Sequence, residues 1–375
     1  MYQKIFATVL VLIFSSVNVF ALVSQLSHDN NIQWPTREWH VKSSLLTGSD
    51  EFRSMTEYAF SADSNSELGI TNALLITQGG KIVFEDYSEG ITQNTKLVSW
   101  SMAKSFTAAI TGIMIDKGYI SSVNESNLLP HWSDLRGEIT IDDLLNMKSG
   151  LEFSEVYNPS GRSDTLEMLF GEGMLDQATY AASFPIAFSP GTTFNYSTGT
   201  TNILSKIIKN KLNERSLDYY DFINENLMKK IGLNNTTLEF DKSGTFIGGS
   251  SVYASARDYA RFGYLYLRDG KWEANQVISK NWIDETRVPS NNTYGIYSNK
   301  FWIIDPTFRN GYGLPDDTYY CAGFGGQYIL IIPSKDIVIV RLGETYSSEN
   351  SDPEANEVLE YLGKIVNLFP NVTTN

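Results

Sequence analysis

The segment VSWSMAKSFTAAITGIMIDKG, residues 98–118, places one lysine inside a run that is otherwise apolar almost all the way round. Such a run predicts a helix, from about Met102 to Lys117, that is buried on most of its faces. Ser101 lies at the N-terminal edge of this helix, and Lys104 lies three residues further on, on the same face. The segment therefore predicts a buried helix with a hydroxyl and an amine together at one end.

Burial of a lysine changes its chemistry. It disfavours the charged form of the side chain, so the pKa of Lys104 is expected to fall towards neutrality. A neutral amine can accept the proton of the Ser101 hydroxyl, and the free N–H groups at the helix N-terminus stabilise the negative charge that develops. The S-x-x-K pattern thus predicts a nucleophilic serine with a lysine base. A structural interpretation is also open, in which Ser101 only caps the helix and Lys104 extends its amine to solvent.

Strand patterns near both ends of the chain predict an antiparallel sheet. ALLITQGGKIVFEDY, residues 73–87, predicts a hairpin that turns at Gly79 and Gly80. GQYILIIPSKDIVIVRLG, residues 326–343, predicts two apolar strands around a Pro-Ser-Lys-Asp turn. Helical patterns occupy much of the chain between them: 140–150, 201–212, 219–232, 255–270 and 277–286, with a last helix at about 353–368.

This order of elements predicts an α+β fold, an α/β sandwich in which helices flank an antiparallel sheet and an all-helical lobe packs beside it. We expect one catalytic domain over residues 22–375. Its sheet lobe is expected at about 45–120 and 250–375, and its helical lobe at about 121–249. A cleft between such lobes is the expected place for a site.

Charge and composition exclude several classes of function. The 375-residue chain carries a formal net charge of −14, which disfavours nucleic acid and anionic membranes as partners. Its three histidines, His28, His40 and His131, lack the spacing of zinc ligands, and a G-x-S-x-G motif is missing, so neither zinc chemistry nor a Ser-His-Asp hydrolase is expected. The single cysteine, Cys321, cannot form an intrachain disulfide. No cofactor and no metal are expected, and the oligomeric state is left open.

The first 21 residues have the features of a secretory signal peptide. Lys4 precedes an apolar run from Ile5 to Phe14, and small residues lead to Ala21. The run is short for a membrane span, although a retained membrane anchor is the alternative. We therefore expect export to a bacterial periplasm or to the exterior, without a stable membrane span once residues 1–21 are removed.

Five segments together resemble the serine β-lactamase and penicillin-binding protein superfamily, most closely its class C-like branch of esterases and 6-aminohexanoate-dimer hydrolases. Residues 98–118 resemble the nucleophile helix of that branch, and SPGTTFNYSTGTTNILSKII, from Ser189, resembles its tyrosine-bearing loop and helix. The other segments are TIDDLLNMKSGL from Thr140, SARDYARFGYLYLRDGKWEANQVISKNWIDE from Ser255, and CAGFGGQYILIIPSKDIVIV from Cys321. The resemblance extends from about Asn72 to Leu368.

The resemblance implies roles for further residues. Tyr196 takes the position of the second family motif, where a phenol relays protons to the leaving group and from the hydrolytic water. Thr198 stands at a substrate-binding position where the family often has asparagine. The backbone N–H groups of Ser101 and Phe324 are expected to form the oxyanion hole, and Gly323 is expected to let the substrate approach the strand edge.

The third family motif is where the chain departs most. Penicillin-recognising members carry Lys-Thr-Gly, whereas this chain carries Cys321, Ala322 and Gly323, without the cation and hydroxyl that bind a β-lactam carboxylate. Cys321 is interpreted as a small buried residue in preference to a reactive thiol, because no base is assigned beside it. Strong β-lactamase activity is therefore not expected.

The sequence thus predicts an exported serine hydrolase of Ser-Lys-Tyr type that cleaves small amides or esters through an acyl-enzyme, with a linear 6-aminohexanoate-type amide as the substrate the family suggests. Esterase, D-amino-acid peptidase and weak β-lactamase activities remain open, as does a non-catalytic member that captures a peptidoglycan fragment or another ligand. Aromatic residues between Leu151 and Phe194 are assigned equally to a substrate pocket or to the core. They are Phe153, Tyr157, Phe170, Tyr180, Phe184 and Phe188.

Overall fold

An antiparallel sheet assembled from both ends of the chain forms the centre of the protein. The computed structural model describes residues 34–44, 46–157, 163–304, 312–345 and 356–372. The predicted signal peptide lies outside these ranges.

The strands in the described ranges are β1 (Ile70–Gln78), β2 (Lys81–Tyr87), β3 (Leu97–Val98), β4 (Thr236–Leu238), β5 (Val252–Ala254), β6 (Lys271–Trp272), β7 (Asn275–Gln276), β8 (Tyr297–Ser298), β9 (Phe301–Ile303), β10 (Tyr319–Gly323), β11 (Gln327–Ile332) and β12 (Ile337–Glu344). Seven of them form the main sheet in the order β2-β1-β12-β11-β10-β9-β8, with antiparallel neighbours throughout. β1 pairs with β12, with Ile76 opposite Ile339, so the sheet joins the two ends of the sequence. β3, β5 and β4 form a smaller sheet, and β6 and β7 form a ribbon.

The α-helices in the described ranges are α1 (Asp50–Ala59), α2 (Ala103–Asp116), α3 (Ile141–Leu145), α4 (Asp164–Phe170), α5 (Gln177–Ala182), α6 (Thr198–Asn213), α7 (Tyr219–Ile223), α8 (Lys229–Ile231), α9 (Ala256–Leu267), α10 (Lys280–Thr286) and α11 (Asn356–Leu368). A π-helical turn, Asn224–Met228, joins α7 to α8. Short 3₁₀ turns occur at Ala62–Ser66, Trp100–Met102, Leu135–Glu138 and Pro333–Lys335.

Both faces of the main sheet are buried, and successive residues of a strand alternate between them. In β1, Ala73 and Leu75 belong to the core shared with α2 and α9, whereas Leu74 and Ile76 belong to a second core shared with α1 and α11. Because both faces are covered, the central strands are continuous apolar runs. The turn that precedes α2 contacts β10 and β11, which places the start of α2 against the sheet.

The predicted α+β fold is confirmed. Both predicted strand pairs are present, as β1–β2 and β11–β12, and they lie in one antiparallel sheet as expected. The helix that the sequence predicts from about Met102 to Lys117 begins at Ala103 and ends at Asp116. The division into two lobes stays a prediction.

Two parts of the chain differ from the sequence prediction. The predicted helix over 140–150 ends at Leu145, because Met147 has φ 58° and Gly150 has φ 76°, values that lie outside the α-helical region. In contrast, α4 and α5 lie between residues 151 and 192, where the sequence pattern predicts no helix. Across the described ranges, every helix is too short or too polar to cross a bilayer.

Candidate active site

A strained turn presents Ser101 at the start of α2. Ser101 lies in the 3₁₀ turn Trp100–Met102, and Trp100 has φ 44°, an uncommon conformation for a bulky side chain. The Val252 N–H donates to Ser99 Oγ at 3.1 Å, and Ser99 Oγ donates to the Trp100 carbonyl at 2.9 Å. These contacts hold the turn against β5. Backbone strain of this kind is typical of functional sites.

The Lys104 amine is buried beside the Ser101 hydroxyl. Lys104 is 1% exposed, which excludes the interpretation in which its amine extends to solvent. Nζ lies 2.8 Å from Ser101 Oγ, 2.9 Å from Thr198 Oγ1 and 2.8 Å from the Gly249 carbonyl oxygen. Burial lowers the pKa of Lys104 to about 8, and the Glu155 carboxylate partly opposes this shift. The amine is therefore within hydrogen-bond distance of the hydroxyl and partly neutral at mildly alkaline pH.

Tyr196 packs against the same amine. Nζ of Lys104 lies 4.9 Å from the centroid of the Tyr196 ring. That ring contacts Trp302 at 5.4 Å and Tyr297 at 6.1 Å between centroids, so aromatic packing fixes its position. The structure thus brings together the three side chains predicted to be catalytic, and the roles of Ser101, Lys104 and Tyr196 stay predictions.

A carboxylate that the sequence interpretation missed lies beside this group. Glu155 accepts hydrogen bonds from the Thr198 backbone N–H, from Thr198 Oγ1 at 2.9 Å, from the Tyr157 hydroxyl at 2.8 Å and from Thr165 Oγ1 at 3.2 Å. Burial and the adjacent carboxylate raise the pKa of Tyr157, so this phenol stays protonated and donates. Glu155 lies in a loop without periodicity, and a charged residue within the aromatic-rich stretch 151–157 was the signal that could have revealed it.

The Thr198 hydroxyl occupies a central place in these contacts. It donates to Glu155 Oε1 and accepts from Lys104 Nζ, so it joins the carboxylate to the amine. Thr198 also lines the cavity next to Ser101. The predicted contact between Thr198 and a substrate stays a prediction.

The edge of β10 packs directly on the nucleophile turn. A Cβ added at Gly323 would lie 2.2 Å from the Ser99 carbonyl oxygen and 3.3 Å from the Met102 nitrogen, so only glycine permits this approach. The approach places Phe324 next to the turn, because its ring lies 6.0 Å from that of Trp100 between centroids. The oxyanion-hole role of the Phe324 N–H and the substrate role of Gly323 stay predictions.

Cys321 lies in the interior of β10. The residue is fully buried, and burial raises the pKa of its thiol to about 12. Such a thiol stays protonated at physiological pH. The burial agrees with the interpretation of Cys321 as a small packing residue.

A cavity of about 120 Å³ lies next to Ser101. Most of its lining is apolar. The lining residues are Trp100, Ser101, Tyr157, Leu166, Leu169, Phe170, Thr198, Ser250 and Phe324. Of the six aromatic residues left unassigned by the sequence, Tyr157 and Phe170 line this cavity, and three others, Phe153, Phe184 and Phe188, line a wider groove that also contains Tyr196.

A second buried lysine lies in the electrostatic neighbourhood of Lys104. Lys300 is 2% exposed, and its amine donates to the Leu144 carbonyl and lies 3.3 Å from Met147 Sδ. Burial, together with the positive charge of Lys104, lowers the pKa of Lys300 well below its usual value. Sequence reasoning did not single out this residue, because nothing in the local pattern marks it as buried.

The histidines do not enter this site. His40 and His131 are exposed at the surface, and His28 lies outside the described ranges. Within those ranges, His, Cys, Asp and Glu side chains do not form a group of three or more that is placed to hold a metal ion.

Comparison with known proteins identifies the family. The family model named Beta-lactamase matches residues 68–363. The chain belongs to the β-lactamase family. The matched span contains the candidate site residues of this β-lactamase family member, from Ser101 to Phe324, and its relatives include a hydrolase. The family resemblance predicted from the sequence is confirmed.

Relatives of this β-lactamase family member include hydrolases with different names. The 6-aminohexanoate-dimer hydrolase of Paenarthrobacter ureafaciens is 23% identical over 297 residues, which cover 72% of each chain. A candidate 6-aminohexanoate-dimer hydrolase from Bacillus anthracis superposes with a TM-score of 0.66 at 19% identity, over 81% of this chain and 79% of that one. A family VIII carboxylesterase superposes with a TM-score of 0.60 at 16% identity, over 84% of this chain and 98% of that one. At these identities the solved structures show a shared fold.

Proposed function

We propose that this protein is an exported serine hydrolase of Ser-Lys-Tyr type that cleaves small amides or esters through an acyl-enzyme intermediate. The observation that carries the proposal is the 2.8 Å distance between Lys104 Nζ and Ser101 Oγ, at an amine whose pKa burial lowers to about 8. A serine hydroxyl is a weak nucleophile unless a base lies next to it. Lys104 is that base in our proposal.

In the acylation step, Ser101 Oγ attacks the substrate carbonyl carbon and its proton moves to Lys104. The carbonyl oxygen becomes negative, and the backbone N–H groups of Ser101 and Phe324 are its proposed donors. The C–N or C–O bond of the substrate then breaks. Tyr196 gives a proton to the departing amine or alcohol and recovers one from the Lys104 ammonium, which leaves an ester on Ser101.

In the deacylation step, water attacks the carbonyl carbon of this ester. Tyr196 and Lys104 together accept a proton from the water, and Ser101 Oγ leaves with a proton when the intermediate collapses. The products are a free acid and the original hydroxyl. Each group therefore returns to its starting protonation state after one turnover.

The cavity supports a substrate with an apolar chain next to the carbonyl that Ser101 attacks. Leu166, Leu169 and Phe170 of α4 form one side of the space next to Ser101. The chain lacks the Lys-Thr pair of the third motif, so a β-lactam carboxylate lacks its usual partners there. A 6-aminohexanoate-type linear amide is the first substrate to test, because the Paenarthrobacter relative carries that activity in its name. An esterase and a D-amino-acid peptidase are the alternatives.

A substrate panel tests the proposal. It contains p-nitrophenyl esters of increasing chain length, nitrocefin, a D-alanine dipeptide and 6-aminohexanoate oligomers. We expect turnover of at least one ester or amide, with kcat/KM lower by about 10³-fold or more in Ser101→Ala, because the acyl-enzyme cannot form. Activity that survives unchanged in Ser101→Ala ends the proposal.

A non-catalytic member that binds a small ligand is the second candidate, favoured by the altered third motif. Labelling with a fluorophosphonate followed by peptide mass mapping separates the two candidates. We expect an adduct on Ser101 in the wild-type protein and in Ser105→Ala. Ser105 lies four residues further on, in α2, and is buried, but its Oγ donates to the Lys300 carbonyl at 2.7 Å, so it serves as the control. Absence of an adduct on Ser101 favours the binding candidate.

We also propose that residues 1–21 direct export. The apolar run from Ile5 to Phe14, preceded by Lys4 and followed by small residues up to Ala21, supports this. Expression in a bacterial host and N-terminal sequencing of the mature protein are expected to give a start at Leu22. A cytoplasmic product that still carries the first 21 residues contradicts export.

A further inference from the structure

Two of the three hydrogen-bond partners that the Lys104 amine has within the described ranges cannot donate a proton to it. In the described part of the chain, Nζ has three oxygen atoms within reach: Ser101 Oγ at 2.8 Å, Thr198 Oγ1 at 2.9 Å and the Gly249 carbonyl at 2.8 Å. A carbonyl oxygen only accepts. The Thr198 hydroxyl has one proton, which it donates to Glu155 Oε1 at 2.9 Å, so it also acts only as an acceptor towards Lys104.

This arrangement fixes the direction in which the lone pair of a neutral Lys104 amine points. A neutral primary amine has two N–H groups and one lone pair. The two acceptor-only partners, Gly249 and Thr198, take the two N–H groups of Lys104. The remaining lone pair is left for the third partner, Ser101, whose hydroxyl can donate a proton to it.

We infer that Glu155 is a positioning residue that holds the proton of the Thr198 hydroxyl and thereby aims the Lys104 lone pair at Ser101. The inference rests on the proposed function, since it requires Lys104 to act as a base. Glu155 is itself held by Tyr157 and Thr165, which donate to it at 2.8 Å and 3.2 Å.

Glu155 also acts on the amine through its charge. The carboxylate opposes the effect of burial on the pKa of Lys104. The other titratable groups around Lys104 are Tyr196, whose ring lies 4.9 Å from Nζ, Lys300, which is coupled to it electrostatically, and Tyr157, which donates to Glu155. Neutralising Glu155 therefore has two effects of opposite sign: more of Lys104 is neutral at a given pH, but its lone pair is no longer directed.

The test measures the rate at which a fluorophosphonate labels Ser101 between pH 6 and pH 10. Labelling forms the bond between Ser101 Oγ and phosphorus, expels fluoride and transfers the hydroxyl proton to Lys104, so it reports on the base without a known substrate. In the wild type, the rate is expected to rise with a midpoint near the Lys104 pKa of about 8. In Glu155→Gln, the midpoint moves to lower pH and the plateau falls by about tenfold or more, because the glutamine amide can donate to Thr198 and reverse its hydroxyl.

Further variants separate the direction of the Lys104 lone pair from the effect of the Glu155 charge on the pKa of Lys104. Thr198→Val removes the hydroxyl and is expected to lower the plateau by a similar factor, and Thr198→Ser is expected to restore it to within about threefold. Glu152→Gln neutralises an exposed carboxylate on the same loop, so its midpoint and plateau should equal those of the wild type. Thermal melting curves confirm that each variant is folded.

Each outcome decides the inference. A Glu155→Gln protein with the wild-type midpoint and plateau overturns it, and so does a lower plateau without a shift of the midpoint, since loss of structure alone produces that result. In both cases labelling of Ser101 leaves the proposed function intact. A wild-type protein that is not labelled overturns the proposed function together with the inference. Should Glu155→Gln not fold, equal plateaus in the two Thr198 variants overturn the inference.

Discussion

The protein buries two lysines in the same electrostatic neighbourhood and holds them in different ways. The Lys104 amine contacts two hydroxyls and a carbonyl beside a cavity, whereas the Lys300 amine contacts the Leu144 carbonyl and Met147 Sδ. Burial lowers the pKa of both. Burial therefore makes an amine available as a base, and the neighbouring groups determine whether its lone pair faces a group that can donate a proton.

Lys300 has a structural position. It follows Asn299 in the two-residue turn between β8 and β9, where φ is 44° and 64°, as in a type I′ hairpin turn. Its amine donates to a carbonyl at the C-terminal end of α3, a place where lysine commonly stabilises a helix. Lys300 therefore connects a hairpin to a helix, whereas the Lys104 amine lies beside two residues that line a cavity, Ser101 and Thr198.

Exchanging each lysine for methionine tests most directly whether Lys104 and Lys300 differ in their effect on activity. Lys104→Met is expected to lower the rate of Ser101 labelling and kcat/KM by about 10³-fold or more, because the serine loses its base. Lys300→Met is expected to stay within about tenfold of the wild type, since its amine contacts no reacting group. Equal losses in the two variants contradict the comparison.

A second test concerns the site around Lys104, where β10 approaches the nucleophile turn closely. Gly323→Ala is expected to lower the labelling rate by about 10²-fold, because the new Cβ displaces the strand edge that lies against Ser99. Cys321→Ala, two residues earlier on the same strand, is the control and should change the rate by less than about threefold. A fully active Gly323→Ala shows that the site tolerates this displacement.

The pH dependence of stability tests whether Lys300 is neutral in the folded protein. Its pKa is well below the ordinary value of 10.5 in the folded state, so between these two values the unfolded chain binds a proton that the folded chain does not. The free energy of unfolding therefore rises with pH in this window, by up to about 1.4 kcal/mol per pH unit. Lys300→Met is expected to remove this rise in urea unfolding experiments. An unchanged slope means that Lys300 is charged.

The pH range in which Lys104 changes the free energy of unfolding begins at higher pH. Its pKa is about 8 in the folded protein against an ordinary value of 10.5, so its contribution to stability is constant below about pH 8 and rises above it. The wild type is expected to gain about 2 kcal/mol relative to Lys104→Met between about pH 7 and pH 9.5. Parallel curves for the two proteins in urea unfolding show that the amine is not desolvated.

Much of the fold could be predicted because its signals are local. The strand pairs are continuous apolar runs interrupted by turn residues, and the spacing of Ser101 and Lys104 is fixed by one helical turn. One local signal was overlooked: Ser163 caps α4 by accepting from the Leu166 N–H at 3.2 Å.

The remaining part of the candidate site arises from tertiary contacts. Glu155, Thr198 and Gly249 lie far apart in sequence and come together around Lys104 only in the folded protein, and Gly249 contributes a backbone carbonyl, which has no signature in the sequence. Tyr196 could be placed in advance through the family resemblance, since nothing in its own neighbourhood distinguishes it from the other tyrosines. Local sequence patterns therefore could not predict the contacts between these distant segments.

The pairing of β1 with β12 determines when the main sheet can be completed during synthesis. During synthesis β1 and β2 emerge before the other strands of the main sheet, yet β12, the central neighbour of β1, emerges after all of them. Until then the apolar edge of the early hairpin has no native strand to join, and closing the sheet requires contacts between residues far apart in sequence, such as Ile76 and Ile339. A chain that stops before Ile337 would keep that edge open, and its fate would be aggregation with other copies in place of a truncated fold.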